Sequence, residues 1–473
     1  MNRRDRLTQP INTGASEVGT LTSTLSIALS ALTSEKGAMD ATANNVANVN
    51  TPGYSRVRAV LTENDPVVLA PLTFGTGVSL SKLESLRDPI LQLRIGQERQ
   101  SQGELDAFVT AMQQVEVNFQ SSSGDLGTQI TQFFNSLSQL STDPVDLSLR
   151  QAVLTAAQNV ATGFRNTSAR LIQQRSSLDL NVVQDVQQVN TLTGQIAELN
   201  GQITNLENLG EDASAFVDKR DVLIQQLSSL IDVASIKSDN GLTLTTSNGT
   251  ALVAGEQNFL LATQTDPSGV QHVVANGADI TGKLNSGALA GTITVRDNKI
   301  PGLLSQLDSL AAGFATAVNT IHRAGFDLNG NAGTDFFNSP PASGQGAAAA
   351  LAVAITDPTL LAASSDGSQG SNGNVLQLAA LHDKPLVSGQ TANEFYGNIV
   401  FAVGSDVANG SSDLDASKLI LQKLQDQRGS ISGVSLDEEA ANMILFQRAY
   451  DASARIVQTV SEMLDTLIQM GTS

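Results

Sequence analysis

The sequence predicts a mainly α, elongated multidomain protein: a bundle of long helices, N- and C-terminal coiled-coil helices packed together, and a small inserted β domain. Three observations carry this expectation. Apolar residues step by threes and fours over both chain ends and over a middle stretch too long for an ordinary globular helix. From about Lys237 the texture changes to Thr, Gly and Asn with alternating apolar residues. The 473 residues are enough for two to four domains with real cores.

Taken in order, residues 1–20 carry Pro10 and Gly14, show no apolar periodicity, and read as a disordered extension. From Leu21 a seam runs through Leu25, Ala28, Leu32, Met39, Val46 and Val49, with Glu35 and Thr42 where apolar residues are expected. It ends at Thr51-Pro52-Gly53-Tyr54, because proline cannot continue a helix and Pro-Gly suits the centre of a type II turn. An extended segment follows to about Leu86. Asn44, Asn45, Asn48 and Asn50 crowd this helix end; asparagine is a poor helix former, so four of them suggest amides that find partners across a packed interface.

Between Asp88 and Ala234 the pattern is helical, interrupted at Ser121–Asp125 and at Asp143-Pro144. Val189, Leu192, Ile196, Leu199, Ile203 and Leu206 form one clean stripe in what reads as a single helix from Asp146 to Asn208. Short strands then follow around Leu242–Thr246, Phe259–Leu261 and Val270–Val274. Helical periodicity returns at Ile300–Ile321, and shorter helices are expected at Val375–Leu381, Phe395–Val403 and Leu414–Gln427. The domains assigned are therefore 21–86 with 431–473, 87–235 with 297–430, and a β insert at 236–296.

The last stretch is the most explicit. Ser435 and Glu438 have the spacing of a capping box, and Asp437, Glu438 and Glu439 sit where the helix dipole favours anions. Met443, Phe446, Tyr450, Val457, Val460, Leu464 and Leu467 follow at heptad spacing, broken only by Ser453. Such a rod, roughly 50 Å long, is marginal alone and needs a partner, either the core of its own globule or another helix end.

Composition narrows the function. A formal net charge of -19 repels nucleic acid and anionic membranes. The absence of Cys excludes disulfides and thiolate metal sites, and it suits a chain that crosses redox compartments. Arg3, Arg4 and Arg6 ahead of Leu21–Leu32 imitate a signal peptide, but that stretch holds five Ser or Thr and continues as a helix. No run approaches the ~18 apolar residues of a membrane span. His272, His322 and His382 share no motif spacing, and no nucleophile elbow, phosphate loop, zinc-protease helix or dinucleotide fingerprint occurs. Asp327-Leu-Asn329-Gly-Asn331-Ala-Gly333-Thr-Asp335 imitates a calcium loop. It lacks the turn glycine and has Asn338 at the closing position, so an Asn-Gly turn held by Asx hydrogen bonds is the better reading. No enzyme chemistry, cofactor or metal is expected.

Thr42-Ala-Asn-Asn-Val-Ala-Asn-Val-Asn-Thr-Pro-Gly-Tyr-Ser55 resembles the N-terminal signature of the rod, hook and hook-associated axial proteins of the bacterial flagellum, and Ser432-Gly-Val-Ser-Leu-Asp-Glu-Glu-Ala-Ala441 resembles their C-terminal signature. Val318-Asn-Thr-Ile-His-Arg-Ala-Gly-Phe-Asp-Leu-Asn-Gly-Asn-Ala-Gly333 is similar to the hook-associated branch. The resemblance implies a secreted structural component of the flagellum at the hook-filament junction, exported through the type III apparatus. The implied partners are further copies in a ring-like assembly, the hook protein, a second junction protein and an export chaperone. It further implies that the end helices fold only on assembly, with the C-terminal seam serving self-association and Asn44, Asn45, Asn48, Asn50, Pro52, Gly53 and Tyr54 forming the N-terminal signature, whose asparagines make contacts between subunits. Residues 1–20 exceed the family pattern, which fits an initiator at Val18, and the short β insert implies that an outer domain of longer relatives is absent. Nearer alternatives are a filament protein or a cytosolic coiled-coil scaffold. A cell-wall hydrolase would need a catalytic motif.

Overall fold

The computed structural model describes residues 13–69, 72–119, 124–238 and 241–471. The chain opens with α1 (Thr13–Ala47), so residues 13–20 are helical rather than part of a disordered extension; adding turns to an existing helix is inexpensive even with Gly14 and Gly19 in them. The remainder of that extension lies outside the described residues. The segment expected to be merely extended forms antiparallel pairs: β1 (Val57–Glu63), the short hairpin β2 (Val67–Leu69) and β3 (Leu72–Phe74), and β4 (Val78–Ser85), which returns along β1. Ser34 Oγ donates to Val78 O at 3.2 Å and ties α1 to this ribbon.

The body follows. Asp88 caps α2 (Pro89–Glu116) by accepting from the amides of Ile90 and Leu91. Asp125 caps α3 (Leu126–Leu140); most of the break expected before it lies outside the described residues. Asp146 caps α4 (Leu147–Leu209), an unbroken 63-residue helix that ends on left-handed Gly210. At 1.5 Å per residue it is about 95 Å long, and two separate cores use it as a spine. Its first half joins α3 and later helices around Phe133, Phe164, Phe314, Phe336 and Phe337, all fully buried, with ring centroids 4.9–6.4 Å apart. Its second half packs α5 (Ser214–Leu230) and the β insert through Val182, Val189 and Ile196.

The insert is a meander of β5 (Ala234–Ser238), β6 (Gly241–Thr245), β7 (Ala251–Ala254) and β8 (Gln257–Asn258), then a second sheet of β9 (Leu261–Thr265), β10 (Gln271–Ala275) and β11 (Ala278–Asp279). Strand structure ends earlier than the expected 296: α6 (Gly287–Thr294) begins inside that range and passes through a widened π turn at Val295–Lys299 into α7 (Ile300–Ala324). The widened turn accommodates Pro301, whose ring has no amide to give and would collide with the preceding carbonyl. After α8 (Ala347–Ala350) and α9 (Gly373–Ala379) comes α10 (Ala392–Ser432). Two helices were expected here, but Gly404 and Gly410 do not break the single one. Gly410 lies where a Cβ would meet Val109 Cγ2 of α2 at 2.9 Å, so this glycine permits close helix crossing. α11 (Leu436–Gly471) closes the chain and lies along α1.

Candidate assembly surface at the paired chain ends

The two end helices are antiparallel, because the C-terminal end of α1 meets the N-terminal end of α11 through Asn45 and Glu439. Met443, Phe446, Tyr450, Val457, Leu464 and Leu467 are half-buried and Val460 fully buried, while their neighbours on the other faces are exposed. The seam expected from the heptad spacing therefore holds α11 to α1 of the same chain. On α1 the fully buried positions Ala28, Ser34, Ala38, Ala41 and Thr42 are small, which allows close approach to the helix and ribbon packed against it. Glu35, one of the gaps in the N-terminal seam, has its carboxyl pushed up by burial, and one of its oxygens is buried without a hydrogen-bond partner.

A second stripe has no cover. Leu445, Ile456 and Met463 are 61, 45 and 50 % exposed, and with Ala452 they repeat at steps of seven, four and seven. That spacing places them on one helix face about 100° round from the seam.

Asn45 is the polar centre of the pair at 1 % exposure. Its Nδ2 donates to Val57 O (2.8 Å) and Glu439 Oε2 (3.1 Å), and its Oδ1 accepts from Val57 N (2.9 Å) and Tyr54 Oη (2.8 Å). Burial, then the carboxylates of Asp218, Glu439 and Asp212, push the Tyr54 phenol up to about 12, so it remains a donor at physiological pH. Arg56 lies against Glu439 (2.6 Å) and Glu438 (2.6 Å). Glu438 thus turns to Arg56 instead of reaching back to Ser435, whose Oγ stands 3.5 Å from Glu438 N. The two ends of the chain meet in one network in which Asn45 is fully hydrogen-bonded, Glu439 Oε1 is buried against Arg56 as an ion pair without a hydrogen bond, and Glu438 stays at the exposed rim.

The same turn fastens the ends to the body. Ser55 N donates to Asp218 Oδ2 (3.0 Å) on α5, whose other oxygen accepts from Arg87 Nη2 (2.9 Å). Arg428 Nη2 of α10 donates to Gly53 O (2.6 Å). Gly53 has φ +82°, and a Cβ there would stand 2.2 Å from Val222 Cγ2, so this position needs glycine for conformation and for space.

The signature asparagines therefore separate. Asn45 forms an intrachain clamp, with all its hydrogen-bonding capacity spent inside the chain. Asn48 Nδ2 donates to Asn44 Oδ1 (2.7 Å) at the exposed helix end, and Asn50 is exposed. Sequence reading missed Arg56, Asp218 and Arg428, whose partners lie up to 383 positions away, and it missed the Leu445 stripe, whose spacing was visible beside the seam. The Asp327 loop is an Asx turn: Asp327 Oδ1 accepts from Asn329 N and Asn331 N, each at 2.8 Å. His322 is buried with both ring nitrogens bonded to backbone; desolvation lowers its pKa and outweighs the Thr334 hydrogen bond and the Asp335 charge, which raise it, while His272 and His382 pair with aspartates. Among the described residues no group of three His, Asp or Glu could hold a metal, and no helix is long and apolar enough to cross a membrane.

Comparison with known proteins agrees with this geometry. The family model of the flagellar hook-associated protein FlgK helical domain matches residues 112–337. Models of the flagellar basal body rod FlgEFG protein C-terminal region and of the flagella basal body rod protein match 427–470 and 25–54, which are the paired ends. Flagellar hook-associated protein 1 of Bacillus subtilis (strain 168) is 32% identical, covering 94% of this chain and 97% of its own length; that of Escherichia coli (strain K12) is 27% identical over 95% and 100%. The solved flagellar hook junction protein FlgK from Burkholderia pseudomallei has the same fold, with a TM-score of 0.65 at 16% identity over 72% of this chain and 100% of that one.

Proposed function

Since this chain belongs to the flagellar hook-associated protein 1 family and is a structural component of the flagellar hook-filament junction, we propose that it assembles there, outside the cell, by packing its paired end helices against those of further copies in a ring. The observation that carries this reading is the apolar stripe Leu445, Ala452, Ile456 and Met463, left in water by a helix whose seam already faces α1. Burying three large side chains at about 1.5–3 kcal/mol each is too little to hold an isolated dimer against the cost of association, but repeated on every neighbour of a ring it suffices.

All the seam residues but Val460 are only half-buried in the single chain, which supports folding of the ends coupled to assembly: neighbours complete the burial that α1 begins. Export through the type III apparatus as an unfolded chain fits the absence of Cys. A chaperone holding α11 would cover the same apolar faces before assembly. The hook protein on one side and a second junction protein on the other are the partners such a ring would contact, and the role requires no catalysis. Electron microscopy of cells lacking the chain tests the reading: hooks without filaments are expected, and filaments attached normally to such hooks would overturn it.

A further inference from the structure

We propose that the cavity closed by the signature turn is a binding site for a carboxylate-bearing group, and that its occupant fastens the chain ends to the body. The cavity measures about 400 Å³ and is walled by Pro52-Gly53, α2, α5 and α10. Arg99 and Arg428 line it together with the amides of Gln225 and Gln425, and no carboxylate does, in a chain with 46 acidic and 27 basic residues. The Nε atoms of both arginines are buried and lack a hydrogen-bond partner. Arg428 is otherwise spent, through Nη2, on the carbonyls of Gly53 and Tyr54 and on Ser55 Oγ, and the Arg99 side chain makes no hydrogen bond or ion pair with any described residue. Asp221, the half-buried acid whose charge Arg428 shares with Arg87 and Arg220, lines a neighbouring cavity instead.

Two guanidinium groups beside amide donors, in a cavity that no carboxylate lines, complement a planar anion that takes paired N–H donors, and the carboxylate is the group of that shape. One wall is the turn between the terminal pair and the body, so the site exists only when the ends are docked. By linkage, whatever fills it favours the docked state. The group can come from a free polycarboxylate or from an acidic side chain of a second copy.

The test uses the full chain and citrate as the probe. Calorimetric titration of wild type should show saturable binding, and citrate should slow hydrogen exchange at Ser55 to Val57. Arg99→Gln should weaken binding by at least about tenfold and abolish the slowing, while its melting temperature stays that of wild type. Arg99→Lys, which keeps the charge without the fork, should fall between the two and serves if the Gln variant folds poorly. If citrate up to about 10 mM does not bind but Arg99→Gln weakens self-association in sedimentation, the occupant is a side chain of a second copy, and the site stands. Citrate binding undiminished in Arg99→Gln, or no effect in either arm, overturns it.

Discussion

Replacing Asn45 with Ala removes four hydrogen bonds at a site 1 % exposed. Neutral hydrogen bonds contribute about 1 kcal/mol each and one to a carboxylate about 1.5–3, and the deserted Val57 amide, Val57 carbonyl and Glu439 oxygen stay buried. Allowing for partial entry of water, the docked arrangement of the ends should lose about 3–5 kcal/mol, on the order of a thousandfold in the opening equilibrium. Hydrogen exchange read by mass spectrometry localises the effect: amides of β1 and of the first turns of α11 should exchange far faster. Those of α3 and α7, whose phenylalanine core is a separate cluster, should not change. Unaltered exchange at β1 and α11 would refute the claim that Asn45 is the clamp, and equal loss throughout the body would refute the separation of the two parts.

Two further outcomes follow from the same geometry. Val457→Asp with Leu464→Asp places two charges on the half-buried seam at a cost of several kcal/mol, so brief proteolysis should remove both ends while the body melts within about a degree of wild type; a much lower melting point would mean that α11 belongs to the body's core. Burial pushes the carboxyl of the half-buried Asp185 of α4 up from its ordinary range to about 6, so the folded state holds a proton that the unfolded state has released, and stability falls as pH rises from about 4 to about 6. Asp185→Asn should therefore raise the melting temperature above pH 6, by an amount equivalent to about 1–2 kcal/mol after solvent screening is allowed for, and change nothing at pH 4; equal effects at both pH values would contradict this.

Local signals made much of the architecture legible. Asp146 and the unbroken periodicity delimited the spine helix to within a residue or two, because caps and apolar spacing are short-range. The continuity of α10 was not legible: the apolar pattern read as two helices, Phe395–Val403 and Leu414–Gln427, and only the approach of Val109 explains why glycine stands at 410 between them. Asn45 drew notice for the right physical reason, an amide that must be satisfied across a packed interface, yet the interface lies within the chain because its partners, Val57 and Glu439, come from elements whose pairing no periodicity announces. The seam was visible as heptads. Its division between an intrachain face and an uncovered stripe depends on where α1 lies, which is a tertiary fact.

The central claim is that the uncovered face of α11 joins copies into the junction, and replacing Leu445, Ile456 and Met463 together with Asp tests it most directly. These side chains are exposed in the single chain, so the variant should fold, melt as wild type and be exported. Electron microscopy of cells carrying only this variant should then show hooks without filaments, with the variant chain free in the medium. Hooks bearing filaments of normal length would contradict the account.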